Sequence, residues 1–314
     1  MSHDPPVIVL SAPTNAQARS RLLRALLPED PGRARRLRQG LDARPCGWDF
    51  SVLAESGGGG SASAAIILDR AGGCGTLLPP LLAGHGARQA AGGCAVREVI
   101  RQYRARVPDG VVITLTTESD HDLNHVLASS GMARLTTLVF LRTRVESPRA
   151  SAPCPGGFRV APLPDDLGAV AEVLRASCAD SLDCPELGAR RRPERVLEGH
   201  LDGATSIPRQ WLGAYSTDSR CSRLVGLSLT RARVDADAQA GEWDLIYIGM
   251  APQARGIGVG RFLLAEQLRQ LDAAGGTTLA LACDARNTPA LTLYASVGFH
   301  ELGRRVAWLD DPTT

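Results

Sequence analysis

A chain of 314 residues, 44% hydrophobic and 22% charged, is long enough for two compact domains with separate cores and too apolar to be disordered. Its formal charge of +2 excludes a general attraction to nucleic acid or an anionic membrane, and 4% aromatic residues are too few for a base-stacking groove. All 35 basic residues are arginine, a bias of the kind a GC-rich genome produces.

The chain opens on MSHDPPVIVLSAP, with an early acid, no basic stretch and only a short apolar run, which does not read as a signal peptide. No apolar run approaches the roughly 20 residues of a membrane span, so the expectation is a cytoplasmic protein without membrane contact. The eight cysteines form no CxxC pair and no His-containing ligand pattern, so no metal site is expected and free thiols are. Two stretches punctuate the chain: ESGGGGSAS (Glu55–Ser63) and ESPRASAPCPGG (Glu146–Gly157). The second, near the middle and rich in Pro, Ser and Gly, reads as a linker between domains at 1–147 and 153–314.

After the linker, GFRVAPL reads as a strand, DDLGAVAEVLRASCADSL as a helix opened by acidic residues, and PERVLEGHL as a second short helix. QWLGAYS, RLVGLSLTRARV and EWDLIYIGM follow as strands. RFLLAEQLRQLDAA is an amphipathic helix, TTLALACDA a strand, TPALTLYASVG a helix and HELGRRVAWL a last strand. The order is β-α-α-β-β-β-α-β-α-β.

The first half echoes the second at a constant offset of 167 residues. Ala128-Ser129-Ser130-Gly131-Met132 falls on Ala295-Ser296-Val297-Gly298-Phe299, VVITLTTES falls near TLALACDAR, and Ala87-Arg88 falls on Ala254-Arg255. Register held over some 50 residues points to duplication.

The most informative stretch is PQARGIGVGRFLL, Pro252–Leu264, with glycines at three alternate positions before a helix. Bare backbone at the positive end of a helix is suited to a phosphate group. A dinucleotide fingerprint fails on spacing, since the sixth position from Gly256 is Arg261 and from Gly258 is Leu263, and a P-loop fails for want of lysine.

With the downstream run Asn287, Ala290, Leu293-Tyr294 and Gly298-Phe299, this region resembles the GCN5-related N-acetyltransferase (GNAT) superfamily. Arg255-Gly256-Ile257-Gly258-Val259-Gly260 matches its [Q/R]xxGx[G/A] pyrophosphate loop, and the second run matches its N-x-x-A-x-x-L-Y-x-x-x-G-F helix. The resemblance implies an α/β (α+β) fold with a mixed central sheet flanked by helices, here as two tandem GNAT-like domains. It implies acetyl-CoA as acetyl donor, with the pyrophosphate on Arg255–Gly260, pantetheine along Ile248 and Met250 where two strands splay, and Asn287 ordering the turn beside it. It implies Tyr294 as the acid that protonates the leaving thiolate. Asp244, on one strand face with Glu242, falls where several members carry a catalytic carboxylate; a water chain is the alternative base.

Asp180–Arg195 would roof the acceptor site, with Asp183 and Glu186 suited to a cationic amine and a plain solvated connection as the alternative. At the repeat offset, Gly256, Gly258, Gly260 and Tyr294 become Gln89, Ala91, Gly93 and Leu127, so the first half reads as a degenerate, non-catalytic copy; Gly92-Gly93 still leave amides for a binding-only second site. The implied activity is acetyl transfer to an amine of a small molecule or peptide. Two alternatives stand beside it: a sensor that binds acetyl-CoA without turnover, and a transferase similar to the mycothiol synthases, which share the tandem architecture and acetylate a cysteinyl amine.

Overall fold

The computed structural model describes residues 7–11, 50–56, 59–68, 74–84, 87–145, 154–164, 166–188, 197, 209–218, 221–233 and 239–311. In chain order the elements are β1 (Val7–Ser11), β2 (Phe50–Ser56), β3 (Ser61–Leu68), β4 (Cys74–Ala83), α1 (Arg88–Arg106), β5 (Val111–Thr116), α2 (His121–Ser129) and β6 (Ala133–Arg144). Then come β7 (Phe158–Pro162), α3 (Leu167–Cys178), the single turn α4 (Pro185–Gly188), β8 (Arg209–Asp218), β9 (Cys221–Ala232) and β10 (Glu242–Met250). A 3-10 turn (Pro252–Ala254), α5 (Val259–Ala273), β11 (Thr278–Asp284), α6 (Thr288–Ser296) and β12 (His300–Asp310) complete the order. The short helix expected over PERVLEGHL lies outside the described residues, apart from buried Leu197. No described helix is long and apolar enough to cross a membrane.

Capping chemistry sets the helix starts. Asp166 accepts from the Gly168 and Ala169 amides at α3, and Asn287 accepts from the Ala290 amide at α6. Asp120, at the repeat position of Asn287, does the same for the Leu123 amide at α2. Adding 167 to α2 gives residues 288–296, the span of α6, and Gly131 and Gly298 share a left-handed φ of +96° and +92°. The duplicated segments therefore adopt duplicated structure.

The chain divides by contact into two units, Met1–Thr136 with Arg305–Thr314, and Thr137–Arg304. This division does not follow the two repeats. In the first unit β1, β2, β3 and β4 pair antiparallel in that order, β4 pairs parallel with β5, and β5 takes the last half of β12, with Val306 opposite Thr116. Val306 and Trp308 lie in that unit's core with Ile66, Val99, Tyr103 and Leu127.

In the second unit β7, β8, β9 and β10 pair antiparallel, β10 pairs parallel with β11, and β11 takes β6, with Val139 opposite Cys283. Val139, Leu141 and Val145 lie in its core with Trp243, Leu264, Leu268, Leu271 and Leu279. Each repeat thus hands its last strand to the other repeat's sheet in equivalent register. The mixed sheet flanked by helices, present in both units, agrees with the expected fold class.

Candidate acetyl-donor and acceptor site

The site is assembled where β10 and β11 part. Their parallel ladder covers only Glu242–Asp244 against Thr278–Ala280. Beyond it β10 stays paired with β9, through a register shift between Leu245 and Tyr247, while its other edge has no strand partner among the described residues. Ile248 and Met250 lie on this one-sided stretch with side chains packed against the cores, which leaves main-chain groups for any ligand that enters the gap.

The chain then turns through Pro252–Ala254 into α5. Gly256 and Gly258 have φ of +73° and +89°, and Gly258 is the N-cap. Those values explain two glycines by backbone alone. Gly260 is different. It sits inside α5, its φ is not left-handed, and a Cβ there would come no closer than 3.7 Å to Leu293 and Met250. The fold therefore does not require Gly260 to be bare. No side chain caps α5, and among the described residues none accepts from the amides of Gly256, Ile257 or Gly258. The Ile257 side chain is 51% exposed and Val259 is buried.

Arg255 is occupied elsewhere. Its Nε donates to the Met250 carbonyl at 3.0 Å, and a terminal nitrogen donates to the carbonyls of Ser177 and Ala179 at 3.0 and 2.9 Å. It satisfies the last carbonyls of α3 and fixes the loop to that helix end. Its contribution to an anion site is thus through its position and main chain.

Tyr294 on α6 is 6% exposed, and its ring packs against Phe299 with centroids 5.6 Å apart. Its hydroxyl makes no hydrogen bond to a described residue. Burial, with the nearby Cys283 and Asp183 adding to it, pushes the phenol far above its ordinary pKa. Tyr247, at the register shift, donates to or accepts from Ser177 Oγ at 2.7 Å, and burial likewise raises its pKa. Both phenols are protonated at any working pH.

Glu242 and Asp244 flank one guanidinium: Arg233 lies 3.7 Å from Glu242 Oε2 and 3.8 Å from Asp244 Oδ1. They sit on the still-paired part of β10, at the closed end of the gap.

The acceptor-loop candidates meet a partner that sequence reading missed. Asp284, at the end of β11, is fully buried. It accepts from the Cys184 amide at 3.1 Å, the Arg286 amide at 2.8 Å and the Arg286 guanidinium at 2.7 Å, while its own amide donates to Asp183 Oδ1 at 2.9 Å. Arg286 also reaches both oxygens of Glu186, at 2.7 and 3.0 Å, which holds the Glu186 carboxyl below its usual range. Glu186 is therefore engaged in fixing the loop, and the Asp183 charge adds to the raised pKa of both Tyr294 and Tyr247. Cys184 adopts a φ of +47°, a strained value held in place by these bonds. The thiols of Cys184 and Cys283 are pushed up to about 12, chiefly by burial and then by Asp183.

Asp284, Arg286, Tyr247 and Ser177 had no readable signal in the chain. Asp183 and Asp284 lie 101 residues apart, and nothing in either neighbourhood names the other.

At the repeat offset, the described residues of the first unit form no equivalent cradle. α1 already starts at Arg88, so Gly92 and Gly93 lie inside it and their amides are not at a helix terminus. A Cβ on Gly92 would meet Leu82 at 2.7 Å, so that glycine serves packing. The Asp122 carboxylate sits at the start of α1, bound by Arg88 and by Gln89 Nε2 at 2.7 Å. The amides expected of Gly92-Gly93 are thus not offered.

Residues 190–299, about a third of the chain, match the model of the acetyltransferase (GNAT) family. The chain is 28% identical over 199 residues to a mycothiol acetyltransferase of Nocardioides sp., a match covering 60% of this chain and 66% of that relative, just under two thirds of its length. Among solved structures, a GCN5-related N-acetyltransferase from Sphaerobacter thermophilus aligns with a TM-score of 0.62 at 20% identity, covering 98% of this chain and 96% of that one. A tandem GNAT protein from the clavulanic acid biosynthesis pathway aligns with a TM-score of 0.57 at 15% identity, covering 98% and 99%. At these identities the two structures establish the fold alone.

Proposed function

We propose that this protein transfers an acetyl group from acetyl-CoA to an amine of a small molecule or peptide, by direct attack of the amine, with the chemistry in the second repeat and the first repeat non-catalytic. The observation that carries this reading is Gly260: a helix position kept bare although the chain itself leaves room for a side chain. Gly256–Gly260 would hold the pyrophosphate on main-chain amides and the positive end of α5. Ile248 and Met250 would offer main-chain groups to the pantetheine, and Asn287 keeps α6 capped so that Tyr294 is held in place.

Acetyl-CoA supplies a thioester activated toward the amine. Tyr294 Oη, protonated and without a hydrogen bond to a described residue, would hold the proton needed at the departing sulfur. Asp244 would take the proton from the amine, directly or through water, with Arg233 fixing its orientation. Cys184 and Cys283, with pKa values of about 12, are not thiolates at neutral pH, which favours direct transfer over an acetyl-cysteine route. The matches to mycothiol acetyltransferases favour, as a second reading, the same transfer within mycothiol chemistry.

Calorimetric titration should give one acetyl-CoA bound per chain, and a free-thiol assay across a panel of amines should show release with one class of them. Binding without release on any amine would leave a sensor; no binding would overturn both. Tyr294→Phe should lower kcat by about 10²–10³-fold while leaving acetyl-CoA affinity and thermal stability unchanged, because the hydroxyl it removes bonds no described residue. An unchanged kcat would remove Tyr294 from the chemistry.

A further inference from the structure

Two hydroxyls meet beside the one-sided stretch of β10. Ser177, buried on the last turn of α3, donates from Oγ to the Leu174 carbonyl at 2.9 Å and lies 2.7 Å from Tyr247 Oη. A serine hydroxyl holds one proton. With that proton on the Leu174 carbonyl, the proton in the second bond comes from Tyr247. The reverse assignment would leave the phenol proton, among the described residues, with no acceptor but Cys178 Sγ, 3.8 Å away. Burial keeps the phenol protonated. Tyr247 Oη therefore spends its only proton on Ser177 and has lone pairs alone left to offer.

Gly249 marks the place of that oxygen. A Cβ there would come to 2.8 Å from Tyr247 Oη, Tyr247 Cε1 and Ser177 Oγ, so the phenol lies across the bare backbone between Ile248 and Met250. Arg255 braces the pair, donating to the Met250 carbonyl and the Ser177 carbonyl at 3.0 Å each. Trp243 and Leu245 pack with Leu264 and Leu268 of α5, so Asp244 between them faces the opposite side of β10. The register shift after Leu245 puts Tyr247 on that side too, packed with Leu174 and Leu227.

We propose that Tyr247 Oη accepts one N–H of the acceptor amine and holds its nitrogen over Gly249, with Asp244 on the same side of the strand to take the other proton.

The proposal deepens the transferase reading and rests on it. Of the groups that acetyl transfer brings together, the thioester carbonyl and the departing sulfur need donors, and only the amine needs an acceptor. An oxygen whose proton is already spent matches the amine alone. The nitrogen lone pair forms the C–N bond as the C–S bond breaks, one amine proton passes to Asp244, and the other stays on nitrogen as the N–H of the product amide. Tyr247 neither gains nor loses a proton.

Thiol release is measured across a panel of amines that includes alaninamide, glucosamine and putrescine, and the variants are compared on the amine the wild type acetylates fastest. Tyr247→Phe, which keeps the ring and its packing, should raise the KM of that amine about 10-fold and leave kcat within about 3-fold, with acetyl-CoA affinity unchanged. Calorimetry of the same amine on CoA-loaded protein should show the same weakening. Ser177→Ala leaves the phenol but frees its proton to bind the nitrogen lone pair that must attack, so kcat should fall about 10-fold. In the double variant that fall should vanish, leaving only the raised KM of Tyr247→Phe, a dependence that packing alone does not produce. An unchanged KM in Tyr247→Phe, or a Ser177→Ala effect on kcat that is absent or persists in the double variant, would overturn the proposal and leave the transferase reading standing. A wild type that releases no thiol with any amine of the panel would overturn the transferase reading and this proposal with it.

Discussion

Residues 153–314 expressed without the rest of the chain should fail to give a cooperative fold, although they contain the whole of the second repeat. The reason is β6. Its residues 138–144 form the seven register pairs on the edge of β11, and Val139, Leu141 and Val145 fill the core beneath α5. Burying such side chains contributes about 1.5–3 kcal/mol each, so losing three removes several kcal/mol from a net stability of about 5–15 kcal/mol. The same cut bares β11 as an unpaired edge strand, which invites aggregation. Thermal denaturation followed by circular dichroism, with gel filtration, would check this: no sharp transition and aggregated material are expected. Co-expression of residues 1–147, which contain β6, should recover soluble protein. A monomeric 153–314 fragment with a sharp transition would show that β11 does not depend on that strand.

Gly260→Glu should abolish acetyl-CoA binding, with Kd raised at least about 100-fold, equivalent to about 2.7 kcal/mol, and no loss of stability. Gly260 is the position that separates ligand from fold. Its Cβ would meet nothing nearer than 3.7 Å, replacing a helical glycine favours the helix by up to about 1 kcal/mol, and an acid in the first turn suits the dipole. The folded protein should therefore tolerate the change, while a pyrophosphate would meet bulk and negative charge. Gly258→Glu should also lose binding, but its φ of +89° makes any side chain strained, so a fall in stability is expected there too. Calorimetry alongside thermal unfolding distinguishes the two. Normal acetyl-CoA binding by Gly260→Glu would show that this loop is not the phosphate site.

Much of this molecule was legible along the chain because the signals are local. β10 was expected as EWDLIYIGM and is Glu242–Met250; the last helix was expected from Thr288 and starts there, capped by Asn287. Left-handed glycines, caps and strand alternation act over a few residues, so type and order of elements follow from neighbours. The 167-residue repeat was readable for the same reason: duplicated local sequence rebuilds duplicated local structure.

Partners across long separations were not legible. Arg255 read as part of an anion loop, and its guanidinium closes the end of α3; Glu186 read as an acceptor contact and is held by Arg286; Asp284 carried no signal and organises the Ser181–Glu186 loop. Residue type states what a side chain can bond, not which of many compatible groups it meets. The strand exchange has the same cause in stronger form. After a duplication, β6 and β12 present similar hydrogen-bonding edges and similar apolar faces, so either can complete either sheet, and local sequence cannot tell the two pairings apart. The choice between them belongs to the packed chain, where Val139 and Leu141 fit under α5 and Val306 and Trp308 fit against α1.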